Sequence, residues 1–85
     1  MAEKEIGKVT HYFGNIAVAG VKLSDTLSVG DTIHIIGHTT DLTQRVDSIQ
    51  IEHDSVETAA AGAEIGLKVP DHVREHDTVY RVEED

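Results

Sequence analysis

Histidine is frequent for so short a chain: six occur in 85 residues, and there is no cysteine. Imidazoles and carboxylates brought together can bind a divalent cation or move a proton, so their spacing is the first chemical question. His34 and His38, with Asp41 beyond the turn at Gly37, form one such set. On an extended strand two residues four apart share a face, but their Cα atoms stand about 13 Å apart. The set can close on a metal only if the turn at Gly37 folds His38 back. Otherwise these are surface imidazoles, and neither a metal nor a cofactor is expected.

A second cluster lies at His11-Tyr12-Phe13, beside the Gly14-Asn15 turn. Its flat rings could stack on a base or contact a partner protein. Strand alternation sends Phe13 inward to the core and leaves Tyr12 capping the rim, with His11 open. His11, Tyr12 and Asn15, with Lys22 and Arg45 as basic contacts, form the candidate binding set. For catalysis the residues offer little. Cysteine is absent, no Ser sits in a G-x-S-x-G turn, and the run Glu52, His53, Asp54, Glu57 reads as a solvated turn. No enzymatic activity of its own is expected, and a small core filled by Ile and Val has no room for a pocket that excludes water.

Charge bears on partners. Sixteen acidic residues against seven basic ones give a net charge of -9. Nucleic-acid binding draws on Lys and Arg neutralising phosphates, and Lys8, Lys22, Arg45, Lys68, Arg74 and Arg81 are spread along the chain without a cluster. A direct RNA contact would need Lys8, Lys22, Arg45 and Lys68 to meet on one face. No G-x-x-x-x-G-K-[ST] loop is present, so GTP binding by that route is not expected. The charged start Met1-Ala2-Glu3-Lys4-Glu5 is unlike a signal peptide, and no apolar run is long enough to span a bilayer. A cytoplasmic location without membrane contact is the expectation.

The elements that would position these residues are strands. Ile33/Ile35, Ile49/Ile51 and Ile65/Leu67/Val69 alternate with polar neighbours, as one-sided burial requires. Alternation slips between Ile16 and Leu23 and again between Val46 and Ile49, where a two-sided strand or a bulge would explain it. Turn chemistry at Phe13-Gly14-Asn15, Ser24-Asp25-Thr26, Val29-Gly30-Asp31 and Gly37 to Asp41 divides the chain into six or seven strands. They fall near residues 4–12, 15–23, 31–37, 42–53, 63–69 and 77–83. Val56 to Ala63 is read as a loop, and Pro70 to Glu75 as one helical or 3₁₀ turn.

Two segments carry a family resemblance. Leu27-Ser28-Val29-Gly30-Asp31-Thr32-Ile33-His34-Ile35-Ile36-Gly37, followed by Ala61-Gly62-Ala63-Glu64-Ile65-Gly66-Leu67-Lys68-Val69, resembles the small β-barrel after the GTPase domain in translation factors such as elongation factor Tu. Arg45 to His53 looks like that family's central strand pair, and Val73 to Tyr80 like its closing segment, with His76 where Gly is usual. The opening Gly7-Lys8-Val9-Thr10-His11-Tyr12-Phe13-Gly14 is similar to stand-alone elongation-factor-like proteins and to the carboxyl-terminal barrel of collagenase-like peptidase relatives. The stretch from Asn15 to Leu23 matches the factors' aminoacyl-end site poorly, so that site is not carried over. The resemblance implies an all-β, closed six-stranded antiparallel barrel: one domain over residues 1–85, with an ordered core from about 5 to 83. The implied function is a non-catalytic binding or docking module acting with a protein partner in translation or RNA modification. The alternatives are direct binding of RNA or the tRNA acceptor end, as in an elongation factor, and self-association through an exposed strand edge.

Overall fold

Every regular element is a strand. The computed structural model describes residues 2–83, which form ten strands and no helix. They are β1 (Ala2–Phe13), β2 (Val18–Leu23), β3 (Leu27–Ser28), β4 (Thr32–Ile36), β5 (Asp41–Arg45), β6 (Ile49–Ile51), β7 (Asp54–Val56), β8 (Thr58–Ala59), β9 (Glu64–Lys68) and β10 (Thr78–Glu83). Eight make one antiparallel sheet in the order β5-β4-β10-β1-β2-β9-β6-β7, and β3 pairs with β8 in a second, two-stranded sheet. The expected all-β class holds. The strand count differs from the expected six: eight strands form the large sheet, which ends on β5 and β7, with no ladder joining those two among the described residues.

The extra strands have local causes. The single strand expected over 42–53 divides because the chain is drawn aside at Val46. Its N–H donates to Asp31 O and its carbonyl accepts from Gly30 N, both at 2.8 Å, while its side chain is buried. That detour is the break in alternation seen between Val46 and Ile49. The segment 56–63 is only partly a loop, since Thr58–Ala59 pairs with Leu27–Ser28. Pro70 to Glu75 forms no helical turn. Val73 is fully buried there, and the Asp77 carboxylate accepts the Arg74 N–H at 2.9 Å, fixing a bend.

The turns before β4 and β10 use one device twice. Asp31 Oδ2 accepts Ser28 N at 2.9 Å, three residues back, as Asp77 Oδ2 accepts Arg74 N. Each needs a left-handed residue just before the aspartate. Gly30 (φ 99°) takes that place in the first turn and His76 (φ 75°) in the second. His76 therefore takes the conformation that Gly30 takes in the first turn, at a steric cost.

Two bulges in β1 set which side chains face inward. Against β10 the register slips between Glu5 and Gly7, and against β2 it slips between Val9 and His11. Each bulge adds one residue and flips the faces beyond it. After Thr10 the inward position therefore belongs to Tyr12, which packs on the core, and not to Phe13, which is 47% exposed. The core role expected for Phe13 is corrected by that single inserted residue. The core itself is aliphatic, built from Ile6 and Val9, Ala19, Val21 and Leu23, Ile33 and Ile35, Ile65 and Leu67, and Val79, with Leu27, Val46, Ile49, Val69 and Val73 closing it.

Candidate functional site

The bulge at Thr10 also creates a concavity. It turns His11 and Phe13 onto the outer face, where register partners form a row across the sheet: His11 on β1, Gly20 on β2, Gly66 on β9 and Gln50 on β6. The two glycines in the middle leave the row without side chains at its centre. Neither has a left-handed backbone, so the chain path there would accept another residue. A Cβ on Gly20 would lie 3.2 Å from Thr10 Oγ1 and 3.7 Å from the Phe13 ring, and one on Gly66 3.2 Å from Val18 Cγ1. Glycine inside a strand packs nothing and weakens it, so a pair at one register position marks a place of close approach.

The result is a trough of about 440 Å³ with unlike walls. One wall is apolar, made by Phe13, Ile16 and Val18. Ile16 stands on the β1–β2 turn and is 61% exposed, because Ala17 in the left-handed region (φ 55°) re-aims the chain before β2 begins. The slip expected between Ile16 and Leu23 is this turn; from Val18 onward the strand alternates. The other wall carries Glu64 on β9 and Glu52 and His53 on the β6–β7 turn, itself held by positive φ at both residues. Neither glutamate forms an ion pair among the described residues. His11 meets Phe13 edge to face, with ring centroids 4.4 Å apart, and its Nδ1 lies 3.3 Å from Glu75 Oε1.

The residues named from sequence are only partly brought together. His11 lines the trough, and exposed Asn15 lies with Phe13 and Ile16 around a shallower hollow at the β1–β2 turn. Tyr12 points the other way, half-buried, with its ring 4.5 Å from that of His72. Lys22 pairs in register with Lys8 on β1 and with Glu64 on β9, whereas Arg45 shares a separate hollow with Lys68. The four cations thus form two pairs on either side of the glycine row. Phe13, Ile16, Gly20, Gln50, Glu52, Glu64 and Gly66 were not in the expected site. Glycines at equivalent points of two apolar strands were the readable signal, hidden because pairing had to be known first.

Of the proposed metal set, the structure joins His34 and Asp41 and leaves His38 apart. His34 Nε2 lies 2.5 Å from Asp41 Oδ1 across the β4–β5 pair, and its Nδ1 lies 3.0 Å from Glu3 Oε2 on β1. Both ring nitrogens are therefore occupied by carboxylates on opposite sides. No group of three or more His, Cys, Asp or Glu side chains among the described residues is placed to hold a metal ion. The hydrogen bond to Asp41, and after it the one to Glu3, raises the His34 pKa above its ordinary 6.5, against a smaller opposing effect of burial.

No helix of the described residues is long and apolar enough to cross a membrane. No family model matches the chain. Individual proteins do. The chain is 43% identical over 81 residues to an uncharacterized protease of Methanocaldococcus jannaschii, covering 94% of this chain and 20% of the protease. It is 38% identical over 78 residues to a collagenase of Porphyromonas gingivalis, covering 89% of this chain and 22% of the collagenase. The chain thus spans about a fifth of the length of the curated relatives it matches. Among solved structures, the C-terminal domain of a putative U32 peptidase from Geobacillus thermoleovorans superposes with a TM-score of 0.87 at 18% identity, over 94% of this chain and 93% of that domain. Its selenomethionine variant gives 0.85 at 19% identity, over 89% and 96%.

These relatives overturn the functional reading drawn from the translation-factor likeness, in both its docking-module and its RNA-binding forms. The turn-and-strand signals behind it are shared by small β folds generally and say little about activity. The collagenase-like half of the resemblance is the half that is supported. The chain is related in sequence to proteins named as protease and collagenase, and its all-β fold is that of a U32 peptidase C-terminal domain.

Proposed function

We propose that this chain is a non-catalytic accessory domain of a peptidase-type protein, and that its glycine-floored trough holds a segment of polypeptide. One observation carries the reading: the register pair Gly20–Gly66 opens a trough beside exposed Phe13 and Ile16, on backbone that does not itself require glycine. An accessible channel over extended strands suits an extended chain, whose side chains it can seat in alternation. The relatives' names, protease and collagenase, make polypeptide the matching class of ligand.

The non-catalytic part has its own support. The histidine rings with side-chain partners meet carboxylates or aromatic rings (His11 with Glu75 and Phe13, His34 with Glu3 and Asp41, His72 with Tyr12), a pattern without a nucleophile beside a base. The twist that two bulges put into β1 supports reading the large sheet as curled in the manner of a barrel wall, a rigid base for such a trough.

The test is to titrate the purified chain into fluorescently labelled gelatin, reading anisotropy and, from the same samples, fragment size on a gel. Saturable binding with intact gelatin is expected. Fragments that track the pure chain would overturn the non-catalytic assignment, and unchanged anisotropy would overturn the polypeptide site.

A further inference from the structure

The two walls of the trough differ in chemistry, and we propose that it selects a polypeptide segment in which a bulky apolar residue is separated by one position from a lysine or arginine. This rests on the trough being a polypeptide site. The apolar residue seats against Phe13, Ile16 and Val18, the apolar lining of the trough. Val18 Cγ1 reaches over Gly66 to within 3.2 Å of where a Cβ would stand and closes that end of the seat. Along β9 the outward positions are Glu64, Gly66 and Lys68 in turn, since Ile65 and Leu67 between them are buried. An extended segment laid over β9 has its own same-face side chains about 6.6 Å apart, the spacing from Gly66 to Glu64. A cation two positions from the apolar residue therefore arrives at Glu64, with Glu52 on the adjoining turn.

Charge fixes the sign and the direction. The trough is lined by Glu52 and Glu64, with His11 and His53, and by no lysine or arginine. Lys22 faces Glu64 across the β2–β9 pair, and Lys68 lies at the other end opposite Val18. Lys22 offsets part of the Glu64 charge, but Glu52 adds a second carboxylate at that end. Lys68 has Val18 and no carboxylate opposite it in register, so the cation belongs on the Glu64 side. An acidic residue at that point would meet two carboxylates on a chain of net charge -9.

The test uses three capped peptides, Gly-Lys-Gly-Leu-Gly, Gly-Glu-Gly-Leu-Gly and Gly-Lys-Gly-Gly-Gly, titrated into the isotope-labelled chain while the amide signals of Gly20 and Gly66 are followed. The first should bind at least about tenfold more tightly than either of the others, a difference of about 1.4 kcal/mol. In Glu52→Gln/Glu64→Gln, whose changed side chains are exposed, the advantage of Lys over Glu should fall below about threefold while the preference for Leu remains. Equal binding of the Lys and Glu peptides, with Gly20 and Gly66 shifting in both, would overturn the selectivity and leave the polypeptide site standing. If no peptide moves those two signals, the site itself is wrong.

Discussion

Gly20 on β2 and Gly66 on β9 face each other in register, and the backbone of neither demands glycine. The pair leaves bare strand beside an exposed aromatic ring, and Thr10 and Val18 stand so close that a side chain at either position would have to push them aside.

Phe13→Ala separates binding from folding. With nearly half its surface exposed, Phe13 contributes less to the core than a buried aromatic would. The variant should lose about 1 kcal/mol or less of stability, yet bind gelatin about tenfold more weakly, since a ligand covering the exposed ring gains about 1–2 kcal/mol. Urea denaturation and the anisotropy titration measure the two effects. A large stability loss with unchanged binding would return Phe13 to a structural role.

Gly37→Ala probes a glycine of the opposite kind. A Cβ there would lie 1.8 Å from Asp77 Oδ1, inside a carboxylate that is buried and already holds the Arg74 N–H. The substitution should destabilise by about 2–3 kcal/mol. Combining it with Asp77→Ala should cost less than the sum of the two single changes by at least about 1 kcal/mol, because the double variant no longer contains the clash. Additive losses in urea denaturation would show that the two residues do not compete for that space.

His76→Gly should stabilise the chain. The residue has φ 75° in a turn where the matching position before β4 is Gly30 at 99°. Relief of a side chain in the left-handed region is worth about 1 kcal/mol, partly offset by the greater freedom of glycine in the unfolded chain. A rise in thermal midpoint is the expected result, and a fall would show that the imidazole makes a favourable contact at the turn.

His34 gives the fold a pH dependence with a definite sign. Its pKa is raised in the folded chain by Asp41 and then Glu3, so folding is favoured by the bound proton. That contribution is fully present below the unfolded value near 6.5 and is lost as pH rises through the higher folded value. Wild type should therefore lose stability relative to His34→Gln as pH rises above about 6.5, as read by thermal melts at a series of pH values. Parallel curves for the two proteins would remove His34 from the linkage.

The strand content was legible because aliphatic alternation at Ile33/Ile35 and Ile65/Leu67 states burial directly. Turn positions were legible where Gly and Asp mark them, as at Gly30-Asp31, and the His76 turn could be located by analogy. The break at Val46 showed as a slip in pattern, but its cause is a pair of hydrogen bonds to Asp31 and Gly30, which are remote in sequence. The site was harder to see. Whether Phe13 or Tyr12 faces inward turns on one inserted residue, Thr10, and no local signal marks a bulge of that kind. The trough needs Gly20 and Gly66, 46 positions apart, to be register partners, which only the strand order β1-β2-β9-β6 establishes.

The most direct measurement is a map of backbone amide shifts in the wild-type chain as gelatin is added. Changes centred on Phe13, Ile16, Gly20 and Gly66, and absent from the Arg45–Lys68 hollow, are the predicted result. Shifts confined to that second hollow, or no shifts at all, would contradict the assignment of the trough as the polypeptide site.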